Sequence, residues 1–477
     1  VEEAYDAASS PNGFDVEGAY EAVCSPDRFY AIERLEAWCT LIHVCRRWRI
    51  LVFASPRRLN LRLACTRRKP MGDMLSIWPT IPIVIDDQEL GCYYATRMEH
   101  IGKVIAALEQ RDRVCHIGLG DIPLTLFPIL AEMMQESFPT LTHLQLDSEY
   151  ESPILHPGSF LGGSTPRLQS LTLQHISFPA LPTLLSTTKD LVELRLWNIP
   201  PSGYISPDAM VVCLSSLTKL EDLILRFRPP HSHPNSSTRR LSSLTRATLP
   251  SLTQFQFHGD NEYIEDLVAQ TNIPLLHHLE IMFFDNAFFE TSQLNQFVSR
   301  AEKFEVPRRT LLDFDTYSDD ARFSLCDDPV DGTTLVFPTS KITEIDFQLR
   351  FLHTLSRSSS PPLRLSSLER LDILMGYTDY GRDDIPWLEL LQPFTAVKDL
   401  YLGSRAELHL AQTLQELTEE TAADVLPALQ RIFIPGYERP GYADVQEDIG
   451  SFITARQLSG HTVTVHNWEG GLGEEGW

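Results

Sequence analysis

The hexad Leu168-Gln-Ser-Leu-Thr-Leu173 constrains this chain more than any other stretch. It is apolar at positions one, four and six. Side chains alternate between the faces of a strand, so positions four and six share a face while position one plugs the strand entrance. The pattern returns at 114–119, 141–146, 191–196, 220–225, 252–257, 276–281, 342–347, 368–373, 397–402 and 429–434. Successive starts lie 23 to 32 residues apart between 114 and 276, and 26 to 32 apart between 342 and 429. A single hexad arises by chance in any amphipathic helix or buried strand. Eleven at a near-regular spacing make an array of repeats.

That period belongs to leucine-rich repeats. Most hexads are followed by a turn and a stretch of helical spacing: 127–138, 207–217, 263–270, 291–301, 386–391 and 406–423. The expected fold class is therefore α/β, a leucine-rich-repeat solenoid. Its horseshoe would carry parallel strands on the concave face and helices outside. The Asn common at position nine of such repeats is missing, and Ile122, Ile176 and Ile199 stand there instead. Packing, rather than an Asn ladder, should then hold the turn after each strand. Two places strain the register. Residues 229–248, rich in Pro, Ser, His and Arg, read as an exposed insertion loop. The pattern also weakens between 281 and 342, where Thr310-Leu-Leu-Asp-Phe314 is the best strand candidate.

Five segments follow from this. Residues 1–28 form a flexible acidic lead without periodicity. Residues 29–63 carry apolar residues at three- and four-residue steps, expected as two helices, and then alternate Leu59, Leu61 and Leu63 as a half-buried strand. Residues 64–113 would be an adaptor and N-terminal cap, with strand candidate 78–85 and a helix near 101–110. The repeats occupy 114–466, ending in a helix over 444–456 and a strand over 461–466. Residues 467–477 form a loose Gly/Glu-rich tail.

Charge limits the partners. The chain has a formal net charge of −24, against the basic footprint that nucleic acid or an anionic membrane needs. Between Arg46 and Lys69, however, lie nine Lys/Arg and no Asp or Glu; an acidic protein partner or solvent suits that run better than nucleic acid. The eight cysteines are scattered without a C-x-x-C pair, which fits a reducing compartment. No apolar run is long enough for a membrane span.

Sites for chemistry were sought in several motifs. His231-Ser-His233 lies in the insertion loop, and His277 and His278 point to opposite faces of a strand, so neither pair makes a metal site. The carboxylates Asp313, Asp315, Asp319, Asp320, Asp327, Asp328 and Asp331 lack a calcium loop's spacing and read as a solvated acidic loop. Ile117-Gly-Leu-Gly-Asp121 and Leu161-Gly-Gly-Ser-Thr-Pro166 match no nucleotide loop, and no G-x-S-x-G elbow is present. The expectation is a non-enzymatic protein with no cofactor and no metal.

Recognition should sit on positions three, five and seven, which face away from the core once four and six are buried. Those positions include Ile224 and Asp372. Trp, Tyr and Arg dominate binding hot spots. Two groups stand out: Trp197 with Arg195 and Arg226, and Tyr401 with Phe433 and Arg431.

Leu41-Ile-His-Val-Cys-Arg-Arg-Trp-Arg49, followed by Val52-Phe53 and Ser55-Pro-Arg-Arg-Leu-Asn-Leu-Arg-Leu63, resembles the second half of an F-box and its downstream strand. It is similar to the F-box/leucine-rich-repeat family of mushroom-forming fungi. The likeness continues through Trp78-Pro-Thr-Ile-Pro82, Phe255-Gln-Phe257, Tyr263-Ile-Glu-Asp-Leu-Val268, Trp387-Leu-Glu-Leu-Leu391, Pro393-Phe-Thr-Ala-Val-Lys398 and Phe452-Ile-Thr-Ala-Arg-Gln457, which is nearly the whole chain. An F-box opens with a helix carrying Leu-Pro and acidic residues. None is found here, so the chain is expected to begin within the motif. The resemblance implies a substrate receptor of an SCF-type cullin-RING ubiquitin ligase, in the cytoplasm or nucleus, monomeric within its complex. Trp38, Leu41, Ile42, Val44, Cys45, Trp48 and Val52 would bind the Skp-type adaptor, and the repeats an unidentified protein target. The competing expectation is a leucine-rich scaffold with no ubiquitin-ligase role.

Overall fold

The structure, a computed structural model, describes residues 43–54, 61–65, 75, 81–87, 94–148, 154–155, 160–228, 246–283, 292–300, 309–315, 320–325, 332–338, 368–375, 387–403, 406–415, 424–435 and 442–468. In chain order the elements begin with α1 (Arg46–Ala54), β1 (Leu63–Cys65), β2 (Ile83–Asp87), α2 (Tyr94–Leu108), β3 (Val114–Ile122), α3 (Phe127–Met133) and β4 (His143–Ser148). Next come β5 (Ser170–Gln174), α4 (Leu181–Leu185), β6 (Glu193–Ile199), α5 (Pro207–Leu214), β7 (Asp222–Phe227), β8 (Ala247–Thr248), β9 (Gln254–Gly259), α6 (Asn261–Ala269), β10 (Thr271–Asn272) and β11 (His278–Phe283). The remainder are α7 (Ser292–Arg300), β12 (Arg309–Asp315), β13 (Asp320–Leu325), β14 (Gly332–Pro338), β15 (Arg370–Met375), α8 (Trp387–Leu391), β16 (Asp399–Gly403), α9 (Ala406–Gln415), β17 (Arg431–Pro435), α10 (Tyr442–Leu458) and β18 (Thr464–Trp468). The class is α/β, with a large and mostly parallel sheet. The described residues fall into two compact units. The first holds those up to Leu252 with Gln270–Ile273; the second holds Thr253–Ala269 and those from Pro274 on.

In the first unit β1 to β7 pair in sequence order, every neighbour parallel. Parallel neighbours need a crossover between them, and α2, α3, α4 and α5 lie in four of those crossovers. In the second unit β9, β11 and β14 are parallel neighbours, as are β12, β15, β16, β17 and β18. Between these runs the chain doubles back: β13 pairs antiparallel with both β12 and β14.

The hexads account for this register. In all ten that are described, position one is at most 2% exposed and positions four and six at most 3%. The backbone repeats with them. The position-two carbonyl of one strand accepts from the N–H of positions two and three of the next: Thr142 from Gln169 and Ser170 (2.7 and 3.1 Å), Gln169 from Val192 and Glu193 (2.7 and 2.9 Å), Glu369 from Lys398 and Asp399 (2.8 and 3.1 Å). The same pair of bonds joins Val192 to Glu221 and Asp222, Thr253 to His277 and His278, and Lys398 to Gln430 and Arg431. Each of these strands thus locks the entrance of its neighbour in one geometry.

Ile122, Ile176 and Ile199 are buried as expected of position nine. The residue before each has positive φ: Asp121 at 46°, His175 at 58° and Asn198 at 51°. The left-handed backbone, tolerated best by Asn, Asp and His among non-glycine residues, turns each Ile back into the core. At Ile122 and Ile199 it registers as a bulge against the next strand.

Further anchors hold the second unit. Glu265 on α6 accepts from the N–H groups of Gln293 and Leu294 at 2.9 and 3.0 Å, capping α7 from another helix. The fully buried Arg456 of α10 donates to the carbonyls of Val425, Leu426 and Pro427 at 2.9, 3.3 and 3.2 Å. It fixes the turn before β17, where Leu426 has φ of 49°.

Several expectations need correction. The expected strand at 59–63 starts at Leu63, and the two helices expected over 29–53 are described only from His43. The insertion loop does not reach 248, because Ala247–Thr248 pairs parallel with Thr271–Asn272. Residues 310–314 do form a strand, β12, but Asp313 and Asp315 lie on it and Asp320 on β13, so these carboxylates do not share one loop. The tail begins later than 467, since Asn467 and Trp468 belong to β18. The hexad at 342–347, the lead 1–28, and His231 and His233 lie outside the described residues.

Candidate functional site

Two strand faces and one helix carry the residues singled out from the sequence. The strand faces are those opposite the buried positions four and six. Leu173 and Leu196 line a small apolar crevice with Leu181 of α4, so the core lies on that helix-bearing side. Positions three, five and seven are left on the other.

On the first unit this face is a hydrogen-bonded polar ladder. Position three runs His116, His143, Ser170, Glu193 and Asp222 across β3 to β7. The His116 and His143 rings stack with centroids 5.3 Å apart. Ser170 donates to Glu193 Oε2 at 3.0 Å. Arg195, from position five, places Nε and Nη2 on Asp222 Oδ2 at 2.9 and 2.7 Å. Trp197 is half-buried, with the Arg226 guanidinium 4.1 Å above its ring. Arg195, Trp197 and Arg226 therefore share one face, but Arg195 is held by a carboxylate and Arg226 by the indole. Ile224 is only 5% exposed and leaves the row of accessible positions.

The rim of that face holds a second chain of polar groups. Asp147 Oδ1 lies 3.1 Å from His175 Nδ1, and His175 Nε2 lies 3.0 Å from Asn198 Nδ2. Burial pushes the Asp147 carboxyl up, partly offset by His175 and reinforced by Asp121. Burial pushes the His143 imidazole down, against the pull of Glu193.

On the second unit the last strands carry a different surface. Register places Tyr401 beside Phe433 and Phe433 beside His466. Tyr401 and Phe433 stack at 4.1 Å and 4°, and Phe433 and His466 at 5.3 Å and 26°. Arg370 continues the stack on β15, its guanidinium 3.7 Å from the Tyr401 centroid. One row over, Arg431 forks onto Asp399, Nε to Oδ1 and Nη2 to Oδ2, both at 2.6 Å. Arg370 is likewise held by Asp372, which is fully buried rather than accessible. Tyr401, Phe433 and Arg431 are thus brought together. Sequence reasoning placed Arg370 among the outward positions without singling it out, and missed His466. Both sit in the same rows, at position three of 368–373 and three residues after the buried Val463, where the row could have been extended.

The helix is α1. Val44 and Cys45 just before it and Trp48 on it are exposed, joined by Ile50 and Leu51 at 59% and 56%. Val52 is 3% exposed and belongs to the core of its own unit, so it is not an accessible contact. Trp38, Leu41 and Ile42 lie outside the described residues. Arg46, Arg47 and Arg49 surround the apolar side chains.

Among the described residues no three His, Cys, Asp or Glu side chains are placed to hold a metal ion, and no helix is long and apolar enough to cross a membrane. Cys115 and Cys213 are buried thiols pushed up by burial, the opposite of an activated nucleophile. No family model matches the chain, and neither does any curated protein.

Proposed function

We propose that this chain is the non-enzymatic substrate receptor of an SCF-type cullin-RING ubiquitin ligase, of the F-box/leucine-rich-repeat kind found in mushroom-forming fungi. Its repeats would form one leucine-rich solenoid, the polar and aromatic faces its concave side, and its place of work the cytoplasm or nucleus. The observation that carries the proposal is the contrast between α1 and the repeats. Every described hexad buries its apolar positions, whereas α1 leaves Trp48, Ile50 and Leu51 in solvent among arginines. Apolar side chains grouped on one exposed helix mark an interaction surface. An acidic adaptor groove would cover them and meet the arginines. Trp38, Leu41, Ile42, Val44, Cys45 and Trp48 are the adaptor contacts in this proposal, with Val52 supporting them from beneath.

The repeat faces would hold the protein to be ubiquitinated, through Arg195, Trp197 and Arg226 and through Tyr401, Arg431 and Phe433. Catalysis would belong to other subunits of the ligase. The test is co-purification of the chain, with any residues its gene encodes ahead of Val1, and a Skp-type adaptor. Retention that Trp48→Ala abolishes supports the receptor. No retention, or retention indifferent to Trp48→Ala, leaves a leucine-rich scaffold without a ligase role.

A further inference from the structure

The face of β15 to β18 presents charge of one sign, although its formal charges balance. Arg431 is 51% exposed in its side chain and its partner Asp399 17%; Arg370 is 31% exposed and its partner Asp372 0%. The carboxylates are sunk toward the sheet and the guanidiniums stand outward. Each guanidinium spends its Nε and Nη2 atoms on its carboxylate, and Nη1 takes no part in that pairing. Between them the rings of Tyr401 and Phe433 stack face to face, which turns their electropositive edges outward. The stack ends, among the described residues, on the exposed ring of His466. In a chain of net charge −24 this surface is an exception.

We propose that this face binds an extended acidic peptide carrying an aromatic residue. Its carboxylates lie against Arg370 and Arg431, and its ring adds a further layer to the stack on His466. Guanidinium groups favour carboxylates through charge-assisted hydrogen bonds. Single-stranded nucleic acid is the poorer fit: it needs open ring faces for several bases, and here all but the last face is already stacked. The inference rests on the repeat face being a partner-binding surface, and is independent of the adaptor.

The experiment is fluorescence anisotropy of the full chain with four labelled probes. They are the peptide Glu-Glu-Tyr-Glu-Ile-Glu, its version with Lys for every Glu, its version with Ala for Tyr, and oligo-dT. The acidic tyrosine peptide should bind about tenfold or more tightly than the other three. Phe433→Leu, which keeps apolar volume but not the ring, and Arg431→Gln should each weaken it about fivefold. Val212→Ser, at an exposed site on α5, should leave it unchanged. Circular dichroism checks that each variant is folded. Equal binding of the lysine peptide, preference for oligo-dT, or indifference to both face variants overturns the proposal. So does binding that appears only after residues 469–477 are deleted, which would make the chain's own end the occupant. Co-purification with the adaptor is the separate readout: its failure with peptide binding intact sinks the ligase proposal alone.

Discussion

The faces of β3 to β7 and of β15 to β18 are built on the same backbone and finished with different chemistry. In both, position two of one strand locks positions two and three of the next, and positions one, four and six are buried. On the first face the outward rows are tied by hydrogen bonds, such as Ser170 to Glu193 and Arg195 to Asp222. On the second, ring stacking from Arg370 to His466 runs beside the fork of Arg431 on Asp399. The difference teaches that the core and the outward surface are written in alternate residues of one strand. Outward rows can then change without disturbing the inward ones.

The largest effects should therefore be alike in the two regions. Leu194→Ala and Leu400→Ala, both fully buried, should each cost about 2–5 kcal/mol in chemical denaturation. A loss confined to one of them would break the equivalence. Next is Arg370→Ala, which takes the guanidinium away from the buried Asp372 carboxylate and should cost about 3 kcal/mol. Arg195→Ala leaves the less buried Asp222 and should cost about 1 kcal/mol by the same measurement. Phe433→Ala removes two stacked contacts and should cost about 1–3 kcal/mol, read as a drop in Tm.

The smallest effect is a pH dependence peculiar to the first region. Burial holds the folded His143 imidazole below its unfolded value, so the folded state resists its protonation. That contribution to stability is complete above the unfolded value of about 6.5 and is lost as pH falls through and below it. His143→Asn should remove this share of the acid destabilisation, seen as a flatter Tm between pH 7 and 5. A steeper profile in the variant would reverse the sign and refute the assignment.

Much of the frame was legible because burial repeats. The leucines at 141, 144 and 146 or at 397, 400 and 402 announce their strand by spacing alone, with Val at 397 serving as well as Leu. An apolar anchor three residues before several hexads was also present but unread: Phe138, Leu217, Leu249, Phe394 and Leu426 are all buried and begin the turn into the strand. The antiparallel excursion through β13 was not legible, since neither β13 nor β14 carries a hexad and their pairing depends on distant strands. Among the site residues, Tyr401, Phe433 and Arg431 follow from alternation. What each one touches does not, because Asp399 and His466 arrive from neighbouring repeats about 30 residues away along the chain, a distance set by the repeat period. That Val52 is buried was not legible, because helical spacing alone does not say which side of a short helix meets the core.

The division of labour between α1 and the strand faces is most directly tested by amide hydrogen exchange of the full chain, alone and with a Skp-type adaptor. Adaptor-induced protection should appear along Arg46–Ala54 and be absent from β15 to β18. Protection on the strand face with none at α1, or no protection anywhere at saturating adaptor, would contradict it.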